Sequence, residues 1–152
     1  MIKKDIKWVA KSFDQLGLQE LYDLMALRQI VFVVEQDCPY LDADGKDQHS
    51  IHLMGFLDSE MVAYTRMVKP GISYKECSIG RVVSAPQVRG TGIGMDLMKE
   101  SLKVVTDSFG KVAVRISAQK YLCHFYEKFN FECVGEEYLE DGIPHIEMLR
   151  NP

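Results

Sequence analysis

The chain has 152 residues, of which 47% are hydrophobic, and a formal net charge of −4 at pH 7. That size fits one domain over residues 1–152 with a proper core. The acidic balance and the lack of a basic run argue against a nucleic-acid partner, and the apolar runs are too short to span a membrane, so no membrane association is expected.

No apolar leader core follows Met1, and Cys38, Cys77, Cys123 and Cys133 lie far apart with no Cys-x-x-Cys pair. The expectations are therefore no signal peptide, free thiols, a cytoplasmic location and no metal site.

Residues 6–13 alternate loosely and predict a first strand. Leu18, Leu21, Tyr22, Met25, Leu27 and Phe32 recur at helical spacing and predict a helix over 18–34. Residues 35–50 are polar, contain Pro39 and Asp44-Gly45, and predict a loop. Strands are predicted over 51–57 and 61–68, joined by a short turn at 58–60. A further strand is predicted over 78–84. A glycine-rich turn then opens a helix running to about residue 109, with Gly110 as its C-cap. A strand over 112–117, a short helix over 121–129, and strands over 131–138 and 145–149 complete the chain. The order β-α-β-β-β-α-β-α-β-β describes an α/β (α+β) fold, a mixed sheet with helices on its faces.

The turn is Gln87-Val88-Arg89-Gly90-Thr91-Gly92-Ile93-Gly94. Helix N-termini carry backbone N–H groups without internal partners and a partial positive charge. Glycines let a phosphate approach those groups, and Arg89 adds a charged donor. No Lys-Ser or Lys-Thr follows, so this is not a P-loop. The glycine spacing and late position do not match the dinucleotide fingerprint. A plain glycine-rich helix entry would look the same.

Gln87-x-x-Gly90-x-Gly92 resembles the acetyl-CoA-binding motif of the GNAT acyltransferases. His124-Phe125-Tyr126-Glu127-Lys128-Phe129-Asn130-Phe131 resembles that family's Phe-Tyr-x-x-x-Gly-Phe segment, with Asn130 at the usual glycine. Asn tolerates the left-handed conformation that position needs. Residues 27–45 and 140–148 are similar to the ElaA-like subfamily. The Arg28, Phe32, Glu35 spacing also resembles acyl-homoserine-lactone synthases of the same fold.

The resemblance implies a largely antiparallel GNAT-like sheet with helices on both faces, and an enzyme moving an acetyl group from acetyl-CoA to a primary amine by direct attack in a ternary complex. It implies a small-molecule or peptide amine as acceptor, and leaves a homodimer open. A non-catalytic acyl-CoA-binding module would keep the turn but have no use for a catalytic tyrosine. Coenzyme A would be held by Val82, Val83, Arg89, Gly90, Thr91, Gly92, Ile93, Gly94 and Gln119. Val82 and Val83 equally suit a buried strand.

A lysine-like amine has a pKa of about 10.4, so being neutral at pH 7 costs about 4.6 kcal/mol. A thiolate of pKa about 8.5 costs only about 2 kcal/mol at pH 7. A base is therefore worth more than an acid. Tyr126 is the candidate acid or hydrogen-bond donor toward sulfur, although Leu122, Phe125, Tyr126 and Phe129 also make one apolar face. Glu35 and His145 are candidate bases, with His52 a further histidine of suitable chemistry. Arg28, Phe32, Arg66 and Arg81 are candidate substrate contacts. If buried, Arg81 needs a partner, and Glu35 is expected to supply it. Asp42, Asp44 and Asp47 would attract a cationic amine or keep their loop solvated.

Overall fold

The computed structural model describes residues 5–152. Residues 1–4, on which the expectation of no leader partly rests, lie outside them. The elements are β1 (Lys7–Ser12), α1 (Leu18–Arg28), β2 (Ser50–Leu57), β3 (Glu60–Val68), β4 (Ser78–Ser84), α2 (Ile93–Phe109), β5 (Val114–Gln119), α3 (Cys123–Glu127), β6 (Glu132–Glu140) and β7 (Ile143–Arg150). Their order and types follow the sequence reading, and β4 matches its predicted bounds.

Local chemistry accounts for the ends of these elements. Glu20 accepts the Gly17 N–H at 2.8 Å and holds Lys11 Nζ at 2.9 Å, which fixes the start of α1. Gly110 ends α2 at φ 81°, its N–H bonding Thr106 O at 2.9 Å. Asn130 takes φ 68°, the left-handed form expected of it. The β2–β3 and β6–β7 hairpins turn on two residues each, Asp58-Ser59 and Asp141-Gly142, all with positive φ.

Three differences from the sequence reading matter. The helix predicted over 18–34 is α-helical only to Arg28. Gln29–Glu35 is a wider coil, with i to i+5 bonds such as Gln36 N–H to Val31 O at 3.1 Å. Widening shifts the helical phase and turns Phe32, Glu35 and Gln36 toward one cleft. The helix predicted over 121–129 is a 3-10 turn at Lys120–Leu122 followed by the five-residue α3. Gln119 ends β5 and is the N-cap of that 3-10 turn.

The third difference is that the sheet is divided. One antiparallel sheet has the order β1-β2-β3-β4, and the other has the order β5-β7-β6. They meet at one parallel bridge, Cys77 to Val114, where Arg115 N–H reaches Cys77 O at 2.9 Å. Beyond it β4 and β5 pair no further, and their facing edges open like a wedge. The buried side chains form one cluster, joining Leu53, Met54, Tyr64 and Met67 of the first sheet to Ile116 and Met148 of the second. Helix α2 buries Ile93, Leu97, Met98 and Val105 along one stripe. Each such side chain contributes about 1.5–3 kcal/mol. Ser101 within that stripe is satisfied by Thr65 Oγ1 at 2.8 Å and Leu97 O at 2.7 Å.

β4 also carries a bulge. Tyr64 pairs with Val83 and Arg66 with Gly80, so Arg81 and Val82 together oppose Thr65. Arg81 sits at φ 51°. A bulge of this kind bends the strand and re-aims its side chains.

Candidate active site

The wedge between β4 and β5 opens into a cleft of about 750 Å³. Gly80, Arg81, Val82, Val83 and Ser84 form one wall, and Ile116, Ser117 and Gln119 form the other. β4 spends one edge on β3, so its other edge offers main-chain groups to whatever enters. A linear amide-bearing chain is suited to that edge, as an added strand would be. Val83 is buried and also lines the cleft.

The glycine turn lies at the end of β4. Pro86–Val88 make a 3-10 turn, and the Thr91 hydroxyl donates to Val88 O at 2.5 Å. Gly90 and Gly92 have φ of 77° and 85°, and a Cβ at either would meet nothing within 4 Å. Asp96 N–H to Gly92 O at 3.3 Å is the first bond into α2. The amides of residues 93–95 therefore have no intrahelical acceptor. Free donors, open space and a helix N-terminus fit the diphosphate of coenzyme A. The Ile93 side chain is in the core and contributes its amide alone. Gly94 lies where a Cβ would sit 3.8 Å from the Phe125 ring. Arg89 reaches the cleft, with Nη1 2.7 Å from Glu35 Oε1 and Nη2 donating to Ser84 O at 3.3 Å.

Tyr126 comes from α3 and also lines the cleft. Its ring packs edge-on against Phe125 and Phe131, at 5.2 and 6.0 Å between centroids. Among the described residues its hydroxyl meets no hydrogen-bond partner. Burial, with smaller repulsion from Tyr121 and Cys123, pushes its pKa up to about 12.

His145 faces the cleft from β7. Its Nδ1 lies 2.7 Å from Ile143 O, and a carbonyl only accepts, so Nδ1 carries a proton. Nε2 stands 3.2 Å from Glu140 Oε2. The ring stacks on Tyr138, whose hydroxyl meets that of Ser117. Glu140 and Tyr138 escaped the sequence reading. The signal was there: a two-residue turn at Asp141-Gly142 sets Tyr138 opposite His145.

The arginines behave differently from expectation. Arg28 is fully buried and lies off the cleft, with Nε 2.7 Å from Asp42 Oδ2 and Nη1 2.8 Å from Asp47 Oδ1. Arg66 holds Asp44 at 2.5 Å and Asp47 at 3.0 Å. Arg81 holds Asp42 at 2.8 Å and Asp44 at 3.4 Å. The expected Glu35 to Arg81 pair does not form, because the aspartates of the 35–50 loop occupy Arg81 and Glu35 pairs with Arg89. The three aspartates neither float in solvent nor stand free for an amine. Asp42 and Asp47 are buried, and the cluster is electrically neutral. It pins the 35–50 loop onto α1, β3 and β4, so that the loop contributes to the cleft wall. Arg66, Arg81 and Phe32 line the cleft itself.

His52 is buried too. Nε2 donates to Asp47 O at 2.8 Å, and Nδ1 accepts from the Tyr64 hydroxyl at 2.7 Å. Both nitrogens are committed, which leaves it no access to a substrate amine. Among the described residues no group of three or more His, Cys, Asp or Glu side chains is placed to hold a metal ion. No helix there is long and apolar enough to cross a membrane.

A family model described as an acetyltransferase (GNAT) domain matches residues 32–151. Protein ElaA of Escherichia coli is 41% identical over 147 residues, covering 95% of this chain and 96% of that one. The crystal structure of E. coli ElaA superposes with a TM-score of 0.91 at 40% identity, over 97% of this chain and 100% of that one. The crystal structure of an acyl-CoA N-acyltransferase from Pseudomonas aeruginosa superposes with a TM-score of 0.93 at 42% identity, over 96% of this chain and 99% of that one. The mixed α+β fold is thus shared with these solved structures. The chain belongs to the GNAT acetyltransferase family, as an acyltransferase of its ElaA-like group.

Proposed function

We propose that residues 1–152 act as one domain that transfers an acetyl group from acetyl-CoA to a primary amine, small or on a peptide, by direct attack in a ternary complex. The observation that carries this reading is the wedge between β4 and β5, lined by Arg89 and Tyr126, with the open glycine turn following the end of β4. The similarity to an acyl-CoA N-acyltransferase supports it.

Residues 90–94 and Arg89 hold the diphosphate, the free edge at Val82 and Val83 takes the pantetheine amides, and Gln119 borders the same arm. The thioester supplies an activated acyl carbon and a thiol leaving group. Tyr126 donates a hydrogen bond to the sulfur as charge gathers there. His145 Nε2, beside Glu140, collects the amine proton directly or through water, the step worth about 4.6 kcal/mol at pH 7. Phe32, Arg66 and Arg81 border the acceptor. Arg28 has no substrate contact and positions the loop.

Calorimetric titration with acetyl-CoA tests the binding half, with Gly92→Ala as the control. That substitution strains a φ of 85° and crowds the amides, so it should weaken binding at least tenfold. Thiol release with aliphatic amines, diamines, amino sugars and lysine peptides tests turnover. Wild-type protein that binds no acetyl-CoA at millimolar ligand would sink the proposal.

A further inference from the structure

We infer that Glu35 couples the two substrates: it holds Arg89 in the free protein, yields Arg89 to the diphosphate of acyl-CoA, and then presents its freed carboxylate to the ammonium group of the acceptor. The inference rests on reading the 87–94 turn as the diphosphate site.

Glu35 closes the widened coil after α1, whereas Arg89 stands in the glycine turn. Their side chains meet across the cleft, Oε1 to Nη1, at 2.7 Å. The carboxylate therefore occupies one arm of the guanidinium fork carried by the turn's own arginine. A diphosphate brings more charge and matches the planar fork better than a single carboxylate does.

The exchange is also cheap. The side chains of Glu35 and Arg89 are 41% and 42% exposed, so water screens their pair, which is held only weakly. Asp44 and Glu140 also line the cleft, but their partners lie away from the glycine turn. Asp44 is gripped by Arg66 and Arg81, and Glu140 faces His145. Glu35 is the one whose partner also borders the diphosphate site.

Charge accounting gives the order of binding. The incoming diphosphate replaces a carboxylate on Arg89, and the incoming ammonium replaces a guanidinium at Glu35. No charge is left unpaired, but the second site exists only after the first has been filled. Phe32 lies one turn back on the same coil and lines the same cleft. The acceptor class this fits is a cationic primary amine on an apolar stem.

Calorimetry with coenzyme A on wild type, Glu35→Gln, Arg89→Gln and the double variant tests the coupling. Removing the competitor should make Glu35→Gln bind coenzyme A about two- to fivefold more tightly. Arg89→Gln should bind more weakly, and adding Glu35→Gln to it should change nothing further. Unchanged or weaker binding by Glu35→Gln overturns the inference, as does the same gain in the Arg89→Gln background. Absence of binding by wild type instead removes the reading of the turn. For the panel amines that turn over, Glu35→Gln should raise the amine KM about tenfold at saturating acetyl-CoA. An unchanged amine KM overturns the acceptor half. Both side chains are well exposed, so the variants should fold, which circular dichroism verifies.

Discussion

Arg81 reaches Asp42, Nε to Oδ1 at 2.8 Å, from a backbone held at φ 51°. Few arginines take that conformation, because Cβ then crowds the neighbouring carbonyl. The bulge in β4 demands it, and the ion pair with Asp42, together with Asp44, helps to hold it. Arg81→Ala and Arg81→Gly both remove the ion pairs, but only glycine relieves the strained backbone. Arg81→Gly should therefore be more stable than Arg81→Ala by about 1 kcal/mol, read as a higher urea midpoint at equal m. Equal midpoints would mean the bulge stores no strain at this residue.

The Arg–Asp cluster and His52 set how stability depends on pH. Burial alone would raise the carboxyls of Asp44 and Asp47. Hydrogen bonds and charge from Arg66 and Arg28 outweigh it, and hold both carboxyls below the ordinary range. These carboxyls stabilise the fold above the unfolded pKa near 3.9, and that contribution drains away as pH falls toward their folded values. His52 is shifted down, first by burial and further by Arg28 and Arg66. Its unfolded form takes up a proton below about pH 6.5 while the folded form resists, so stability declines from there downward.

Melting temperatures measured from pH 8 to pH 3 should therefore fall in two stages, one beginning near 6.5 and a steeper one below about 4. His52→Gln should remove the first stage alone. A flat profile between pH 6.5 and 5 in wild type would contradict the role given to His52.

Legibility in the sequence followed the range of the interactions. Strand alternation, the turn glycines and Gly110 are local signals, and they placed the elements in order. The glycine turn and the aromatic segment around Tyr126 could be read because their spacing is nearly continuous in sequence. What could not be read is pairing across distance. Asp42 and Arg81 are 39 residues apart, and nothing local tells an aspartate that ends in a buried cluster from one that solvates a loop. Glu35 was assigned to the wrong arginine for the same reason: its actual partner depends on how far the coil after Arg28 widens, and the apolar run Ile30-Val31-Phe32-Val33-Val34 is compatible with either helical phase. The divided sheet was equally hidden, since strand patterns do not reveal which neighbours splay apart.

Tyr126 gives the sharpest kinetic test. With its pKa near 12, passing its proton to a thiolate of pKa about 8.5 would run uphill by about 5 kcal/mol. The role proposed for it is therefore a hydrogen bond to the sulfur rather than protonation. A hydrogen bond to a charged partner contributes about 1.5–3 kcal/mol. Tyr126→Phe should accordingly lower kcat about 10- to 100-fold at saturating acetyl-CoA. Stability should hardly change, because the ring stays packed and the hydroxyl gives up no protein partner. Being neutral throughout, Tyr126 should contribute no limb to the kcat profile below pH 9, and the variant should keep the wild-type shape. A wild-type rate in Tyr126→Phe, or the loss of a limb in that range, would rule this role out.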